Sequence, residues 1–372
     1  MMGLNWNTTE WEIVEGMLPE GWAEQAKAQG ALKRKRKVGS ASELLRHLLL
    51  HAGGGLSLRQ TVVRAAQWGL ARMSDMALFK RLKGSGEWLG WMCRRLAEER
   101  DGERNWAVPG GELRMVVVDS TDIKEPGAKG ASWRLHYAIE VPGVTSVFAE
   151  LTDRHGGESL RRYKFRSGDL AAGDRNYCRE GQIGHVLESG AHVLLRWHST
   201  ALPLLDAEDG QPLDVADWVR REASCGAAEA AVRTKGGLAL RLCALPVAEE
   251  AAEREREKVR ESARKQGRRA SAASLEMAGF IVLVCSLPRE KHDTAAVMSL
   301  YRLRWQVELA FKRLKSLLGA SHVPKRDPGS ARAWLQAKML VSLLMEKLLR
   351  EAEVLSPWGY PLAARQPLAR VH

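Results

Sequence analysis

At 372 residues with 45% apolar side chains, the chain can bury a full core and has room for roughly two or three folding units, which excludes a chain too polar to fold. Its 57 Lys and Arg against 45 Asp and Glu leave a net charge of +12, spread along the whole length. That balance favours a nucleic acid or another anionic surface as partner and excludes a neutral domain with a basic tail. The five cysteines stand singly, without zinc spacing, and are expected to be small buried side chains in a reducing cytosol. With no apolar run near the roughly 18 residues of a membrane span and no signal-peptide core, a soluble cytoplasmic protein is expected.

The chain opens with short helical patches carrying Trp6, Trp11 and Trp22, then the basic run Lys33–Lys37, which is either a solvated segment or a phosphate contact. Ser42–Leu50 has the pattern of an amphipathic helix, ended by Gly53–Gly55. Ser57 starts a helix over Leu58–Trp68, Gly69 breaks it, and Ser74 caps another over Asp75–Leu82. Two short helices joined by a Gly-containing break and followed by Lys80, Arg81 and Lys83 fit a helix-turn-helix DNA reader, or an ordinary helical hairpin. Residues 1–108 are accordingly read as a helical N-terminal DNA-binding region.

Gly110-Gly111 introduces a change of period. Arg114–Asp119 reads as a buried strand, and Trp133–Val141 and Thr145–Leu151 as two more, joined at Pro142-Gly143. Residues 156–168 suggest a helix with a basic face. Leu170–Asp174 is a short strand ending in an acid, Gly181–Gly190 a helix and Ala191–Trp197 a strand. Residues 198–247 alternate turn signals with short apolar runs, as in a small β-rich unit, and Glu249–Arg269 reads as a charged, exposed helix or linker. Phe280–Ser286 is the last strong strand. Helices are expected from Thr294 and over Ala331–Val354, and the tail 356–372 is expected to be loose.

Tyr301–Lys315 contains neither Pro nor Gly and reads as one helix. At about 100° per residue, Tyr301, Arg304, Glu308, Lys312 and Lys315 share a stripe with Trp305 at its edge, while Leu303, Val307, Ala310, Leu314 and Leu317 form the opposite face. Such a stripe is usually a solvated face laced with i,i+4 pairs. Two aromatics on the charged side, and one acid among bases, also suit an acid that holds a cation beside a polyanion.

Asp119 ends a hydrophobic strand, Asp174 ends a shorter one, and Glu308 lies on a helix, so three carboxylates could converge at the carboxyl edge of an α/β sheet. Asp122 and Asp169 compete for the same roles. Carboxylate oxygens suit hard divalent cations, which can drive in-line phosphoryl transfer.

These residues carry a resemblance. Tyr301, Arg304, Glu308 and Lys315, with Trp305 after the Arg, resemble the Tyr-(2)-Arg-(3)-Glu-(6)-Lys signature of DDE transposases of the IS4 family, the family of the Tn5 transposase. Asp119-Ser120-Thr121 and Gly173-Asp174-Arg175 are similar to the contexts of its first two acids, and Ser74–Leu82 to its helical N-terminal part. The likeness spans roughly residues 40–350.

The resemblance implies an α/β fold with an RNase H-like catalytic core over 109–197 and 279–355, and a β-rich insertion domain over 198–278. The gap between Asp174 and Glu308 agrees, because loops beyond about 12–15 residues without structure of their own are uncommon. It further implies that Asp119, Asp174 and Glu308 are catalytic and coordinate Mg²⁺ or Mn²⁺, as two ions. Tyr301, Arg304, Lys315, Trp305 and, less directly, Arg196 would contact DNA. The activity implied is cleavage and strand transfer at the terminal inverted repeats of an insertion sequence, by a homodimer in a synaptic complex on double-stranded DNA, in the bacterial cytosol. An RNase H-like nuclease without strand transfer, or a DNA-binding protein derived from a decayed copy, are the alternatives. For a base-trapping aromatic, Trp197 and Trp218 both qualify by position.

Overall fold

The computed structural model of the chain describes residues 6–33, 38–101, 113–125, 127, 129–141, 145–312, 323 and 327–354. Most of the basic run (34–37), the Gly110-Gly111 and Pro142-Gly143 signals, Leu314, Leu317, Lys315 and the tail from Ser356 lie outside the described residues.

The described chain begins with α1 (Trp6–Gly16), α2 (Trp22–Ala28), α3 (Ala41–Gly53), α4 (Leu58–Gln67), α5 (Asp75–Lys83) and α6 (Gly86–Asp101). Local chemistry starts three of these helices. Ser40 accepts a hydrogen bond from the Glu43 amide, Ser57 and Gln60 form a reciprocal capping box, and Ser74 accepts from the Ala77 amide. Each cap satisfies an amide that a first helical turn leaves free.

The strands are β1 (Arg114–Ile123), β2 (Trp133–Val141), β3 (Thr145–Asp153), β4 (Asp169–Gly173), β5 (His192–Arg196), β6 (Leu204–Asp206), β7 (Ala228–Thr234), β8 (Ala239–Pro246) and β9 (Phe280–Cys285). Among them run α7 (Glu180–Glu188), α8 (Val215–Glu222), α9 (Glu249–Lys265) and α10 (Ala272–Met277), and after them α11 (Thr294–Arg302), α12 (Gln306–Lys312) and α13 (Pro328–Val354). All the strands join one mixed sheet in the order β3-β2-β1-β4-β5-β9-β8-β7-β6. β1 is antiparallel to β2 and parallel to β4, which is parallel to β5; the remaining pairs are antiparallel. Residues 198–278 thus contribute β6, β7 and β8 to the same sheet, entered through the β8–β9 pair.

The central strands are covered on both faces. Met115 and Val117 join one core with α3, α5, α6 and α13, whereas Val116 and Val118 join a second core with α7 and α8. Double burial explains why β1 reads as a continuous apolar run and not as an alternating one.

Three expectations need correction. Residues 156–168 form no helix beyond a 3-10 turn at Leu160–Arg162, because Leu160 and Tyr163 are buried while Phe165 packs against the same core, a pattern that no helical face can satisfy. β1 does not stop at Asp119 but runs on to Ile123, paired only with β2 beyond Val117. Tyr301–Lys315 is not one regular helix: α11 ends at Arg302, Leu303–Trp305 is a 3-10 turn, and α12 starts at Gln306. Three residues at about 120° instead of 100° advance the helix face by roughly 60°.

The competing acids are also separated. Asp169 is buried and receives the Arg114 Nε at 2.8 Å and Nη2 at 2.5 Å, while Asp122 is paired with Arg134 at 2.9 Å near the surface. Both are taken up by structural ion pairs.

Candidate active site

The parallel ladder sets the geometry. Val117 pairs with Ala172, and Ala172 with Leu194. Two residues beyond those pairs, past the end of the β1–β4 ladder, stand Asp119 within β1, Asp174 just after β4 and Arg196 at the end of β5, and Asp174 is near enough to Asp119 to raise its pKa. Because alternate residues share a face, all three lie on the side of Val117, Ala172 and Leu194. That is the side packed against Val307, Ala310 and Phe311 of α12.

Burial pushes the Asp119 carboxyl up to about 7. Asp174 and Glu158 contribute to that rise, while the Ser120 amide, donating to Oδ1 at 2.7 Å, and Arg304 hold it from going higher. Asp174 is raised in the same way, by burial first and then by Glu158; the Asn176 amide at 2.8 Å, Arg304 and Arg175 oppose. Two adjacent acids whose charge is under-compensated are the electrostatic centre of the site.

The segment from α11 to α12 lies over this pair. The Tyr301 hydroxyl donates to the Gly173 carbonyl at 3.4 Å, which fastens the segment to the end of β4. Burial raises the Tyr301 pKa, and the Arg304 guanidinium stands 5.8 Å from its ring centre. Arg304 Nη2 donates to Glu308 Oε1 at 2.9 Å. Burial alone would lower the Arg304 pKa, but Tyr301, Glu308 and Asp119 together hold it above its usual value. Arg304 therefore stands electrostatically between the two aspartates and Glu308. Arg196 is lowered by burial, with Arg175 adding to the effect.

Of the residues singled out from sequence, the structure brings together Asp119, Asp174, Arg196, Tyr301 and Arg304. Glu308 is held at the rim by Arg304, its side chain 61% exposed, and Trp305 is 51% exposed. Among the described residues no three His, Cys, Asp or Glu side chains lie close enough to hold one metal ion. Lys315 lies outside the described residues. Trp218 is a core residue of α8, whereas Trp197, its Nε1 donating to the Leu202 carbonyl at 2.9 Å, lines a cleft of about 740 Å³ beside Arg175, Arg196, Lys258 and Arg269.

Glu158 escaped the sequence. It accepts from Ser120 Oγ at 2.5 Å and raises both aspartates. It follows Gly156-Gly157 in an irregular segment, so neither a period nor a strand end could have marked it.

Residues 110–344 match the family model of the transposase DDE domain. The chain is 32% identical over 361 residues to the putative transposase InsL for insertion sequence element IS186A of Escherichia coli (strain K12), across 93% of this chain and 96% of that one. It is equally 32% identical, over 362 residues and the same shares, to the transposase for insertion sequence element IS421 of Escherichia coli. The cryo-EM structure of the piggyBac transposase synaptic complex with hairpin DNA aligns over 91% of this chain and 72% of that chain at a TM-score of 0.42 and 9% identity, a likeness too distant to bear on the site. Kinship at nearly a third identity from end to end, with the DDE model laid over the sheet and the helices that form the site, places the chain among the DDE transposases of the IS4 family.

Proposed function

We propose that this transposase cleaves DNA at the terminal inverted repeats of an insertion sequence and joins the freed ends to a target, in a cut-and-paste reaction carried by an RNase H-like core. Residues 109–197 and 279–355 form that core, 1–108 the end-binding region, and 198–278 an insertion. The observation that carries the reading is the approach of Asp119 and Asp174, two neighbouring acids with raised pKa values that both feel Arg304, with Tyr301 tied to the end of β4.

Two half-buried carboxylates that lack sufficient positive charge fit hard divalent cations, Mg²⁺ or Mn²⁺, as a pair of ions. Asp119 and Asp174 would hold them, and Glu308 would complete the set once Arg304 exchanges it for a DNA phosphate. Bound there, divalent ions would help to ionise a water or a 3′-hydroxyl and to neutralise the leaving oxygen. The remaining work falls to this chain. Arg304, Arg196 and Lys315 neutralise phosphates of the transferred end, and Tyr301 orients Arg304 through its ring. Trp305 offers its exposed ring to an unpaired base. Two copies of the chain would hold two ends in a synaptic complex.

The test incubates the chain with Mg²⁺ and a duplex carrying the inverted repeat that flanks its gene, and follows cleavage and joining. Glu308→Ala is expected to lose both to background while still binding the duplex. Its side chain is 61% exposed, so stability should change by less than about 0.5 kcal/mol. Joining that survives in this variant would overturn the assignment, and wild-type cleavage without joining would favour a plain nuclease.

Trp305→Ala should leave thermal stability equally unaffected but weaken end binding by about 1–3 kcal/mol, read by fluorescence anisotropy. An unchanged dissociation constant would remove Trp305 from the interface.

A further inference from the structure

A helix-turn-helix pattern assigns sequence reading to its second helix, here α5. The packing argues against that assignment. Leu78 and Leu82 of α5 are fully buried, the helix lies against α13, and Lys83 at its end is tied to Asp327 at 2.8 Å. α4 packs only its Thr61 and Ala65 side inward, against α3 and α5. Its outer face carries Arg59, Gln60, Val63, Arg64 and Gln67, a stripe roughly 140° wide at helical spacing.

The composition of that stripe is specific. It holds two guanidiniums, two carboxamides and one aliphatic side chain, with no acid. Val63 is 58% exposed and the Arg59 side chain 89% exposed. Arg can donate two hydrogen bonds to the O6 and N7 of guanine, Gln can pair with adenine, and an aliphatic group can meet the thymine methyl. Asp75 at the edge of the stripe pairs with Arg59 at 3.2 Å, an exposed contact that is easily exchanged for DNA. Arg64 lies 5.9 Å from the Trp68 ring centre, which steadies its stem while its donors stay available. The stripe faces solvent, and a major groove about 12 Å wide admits an α-helix.

We infer that α4, not α5, reads the terminal repeat, with Arg59, Arg64 and Gln67 contacting base edges in the major groove and Val63 against a thymine methyl. The inference rests on the proposed end-binding role of the N-terminal region, and it names the face that supplies specificity.

The test uses the full-length chain without metal, so binding is read independently of catalysis. Affinities are measured by anisotropy, over a salt series, for a duplex carrying the inverted repeat beside the gene and for a scrambled duplex of equal length. Arg59→Ala and Arg64→Ala should each lower the ratio of the two affinities by about 5- to 100-fold without shifting the thermal midpoint. Arg64→Lys should keep the affinity for the scrambled duplex and the salt slope but not restore the ratio, because a point charge cannot replace the paired donors.

An unchanged ratio in the Arg59→Ala, Arg64→Ala double variant overturns the inference. So does a wild-type protein with no preference between the duplexes. A variant that changes the sedimentation-defined oligomeric state at constant ratio makes the face a contact between copies instead. A chain that binds selectively through α4 but never joins strands would sink the proposed reaction and leave this inference standing.

Discussion

Asp119→Asn is expected to abolish strand cleavage and at the same time to stabilise the metal-free protein. The carboxyl is held at about 7 by burial and by its neighbours Asp174 and Glu158, whereas an unfolded chain ionises it near 3.9. Below pH 4 both states keep the proton and the wild type bears no penalty. Between pH 4 and 7 the unfolded chain releases its proton while the folded site retains it, so wild-type stability falls, and the loss is complete above pH 7. Asparagine keeps the acceptor for the Ser120 amide and carries no charge. The variant should therefore melt with the wild type near pH 4 and above it at pH 8, by on the order of 2 kcal/mol after allowing for partial exposure. Thermal melts in a chelator at the two pH values measure this. Added Mg²⁺ should raise the wild-type midpoint at pH 8 and lose most of that effect in the variant. Coincident melting curves at pH 8 would show that the Asp119 charge is already compensated.

Arg114→Ala should cost the fold about 3–5 kcal/mol, the largest loss expected from a single polar side chain here. Arg114 and Asp169 are opposite one another at the first pair of the β1–β4 ladder, and their side chains are 10% and 4% exposed. Truncating Arg114 leaves the Asp169 carboxylate buried with the Arg166 amide at 2.8 Å, a single neutral donor in place of the bidentate cation. Asp119 and Asp174 follow this pair by five residues on the same two segments of chain, so cleavage should fall together with stability. Urea unfolding gives the first quantity and end cleavage the second. Combining Arg114→Met with Asp169→Leu should recover part of the stability, because the Asp169 charge is gone while the buried Glu140 carboxylate, 3.9 Å from the Arg114 Nη1, still loses that cation. A loss below about 1 kcal/mol in Arg114→Ala would mean that the pair does not organise the ladder.

The two predictions concern acids that look alike in the sequence. Asp119 and Asp169 both sit at an end of a short apolar run, and apolar pattern alone does not tell which of them is taken up by an ion pair. The distinction comes from Arg114, 55 residues before Asp169, whose guanidinium reaches it across the ladder.

What the sequence determined by itself is local. Ser40, Ser57 and Ser74 mark helix starts because a cap acts within three residues. The apolar run of β1 is visible because burial on both faces leaves no alternation to be masked. The spacing of Tyr301, Arg304 and Glu308 was legible as one charged stripe, and the Arg304–Glu308 pair is an i,i+4 contact of the kind that spacing encodes. The family, too, was legible, since its signature is a spacing.

Tertiary structure alone decided the rest. The parallel register of β1, β4 and β5, beyond whose end Asp119 and Asp174 meet, is a relation among three strands, and a slip of one residue would send each side chain to the other face. Glu158 enters the site through an irregular segment whose path is set by Leu160 and Tyr163 packing below it. The 3-10 turn at Leu303–Trp305 interrupts the helix between Tyr301 and Glu308 and turns the later face by roughly 60°, and no residue within the turn announces it. The burial of α5 depends on α13, which arrives from the far end of the chain. Capping and periodicity act over one or two turns, whereas register, charge compensation and helix choice are set by partners tens to hundreds of residues away.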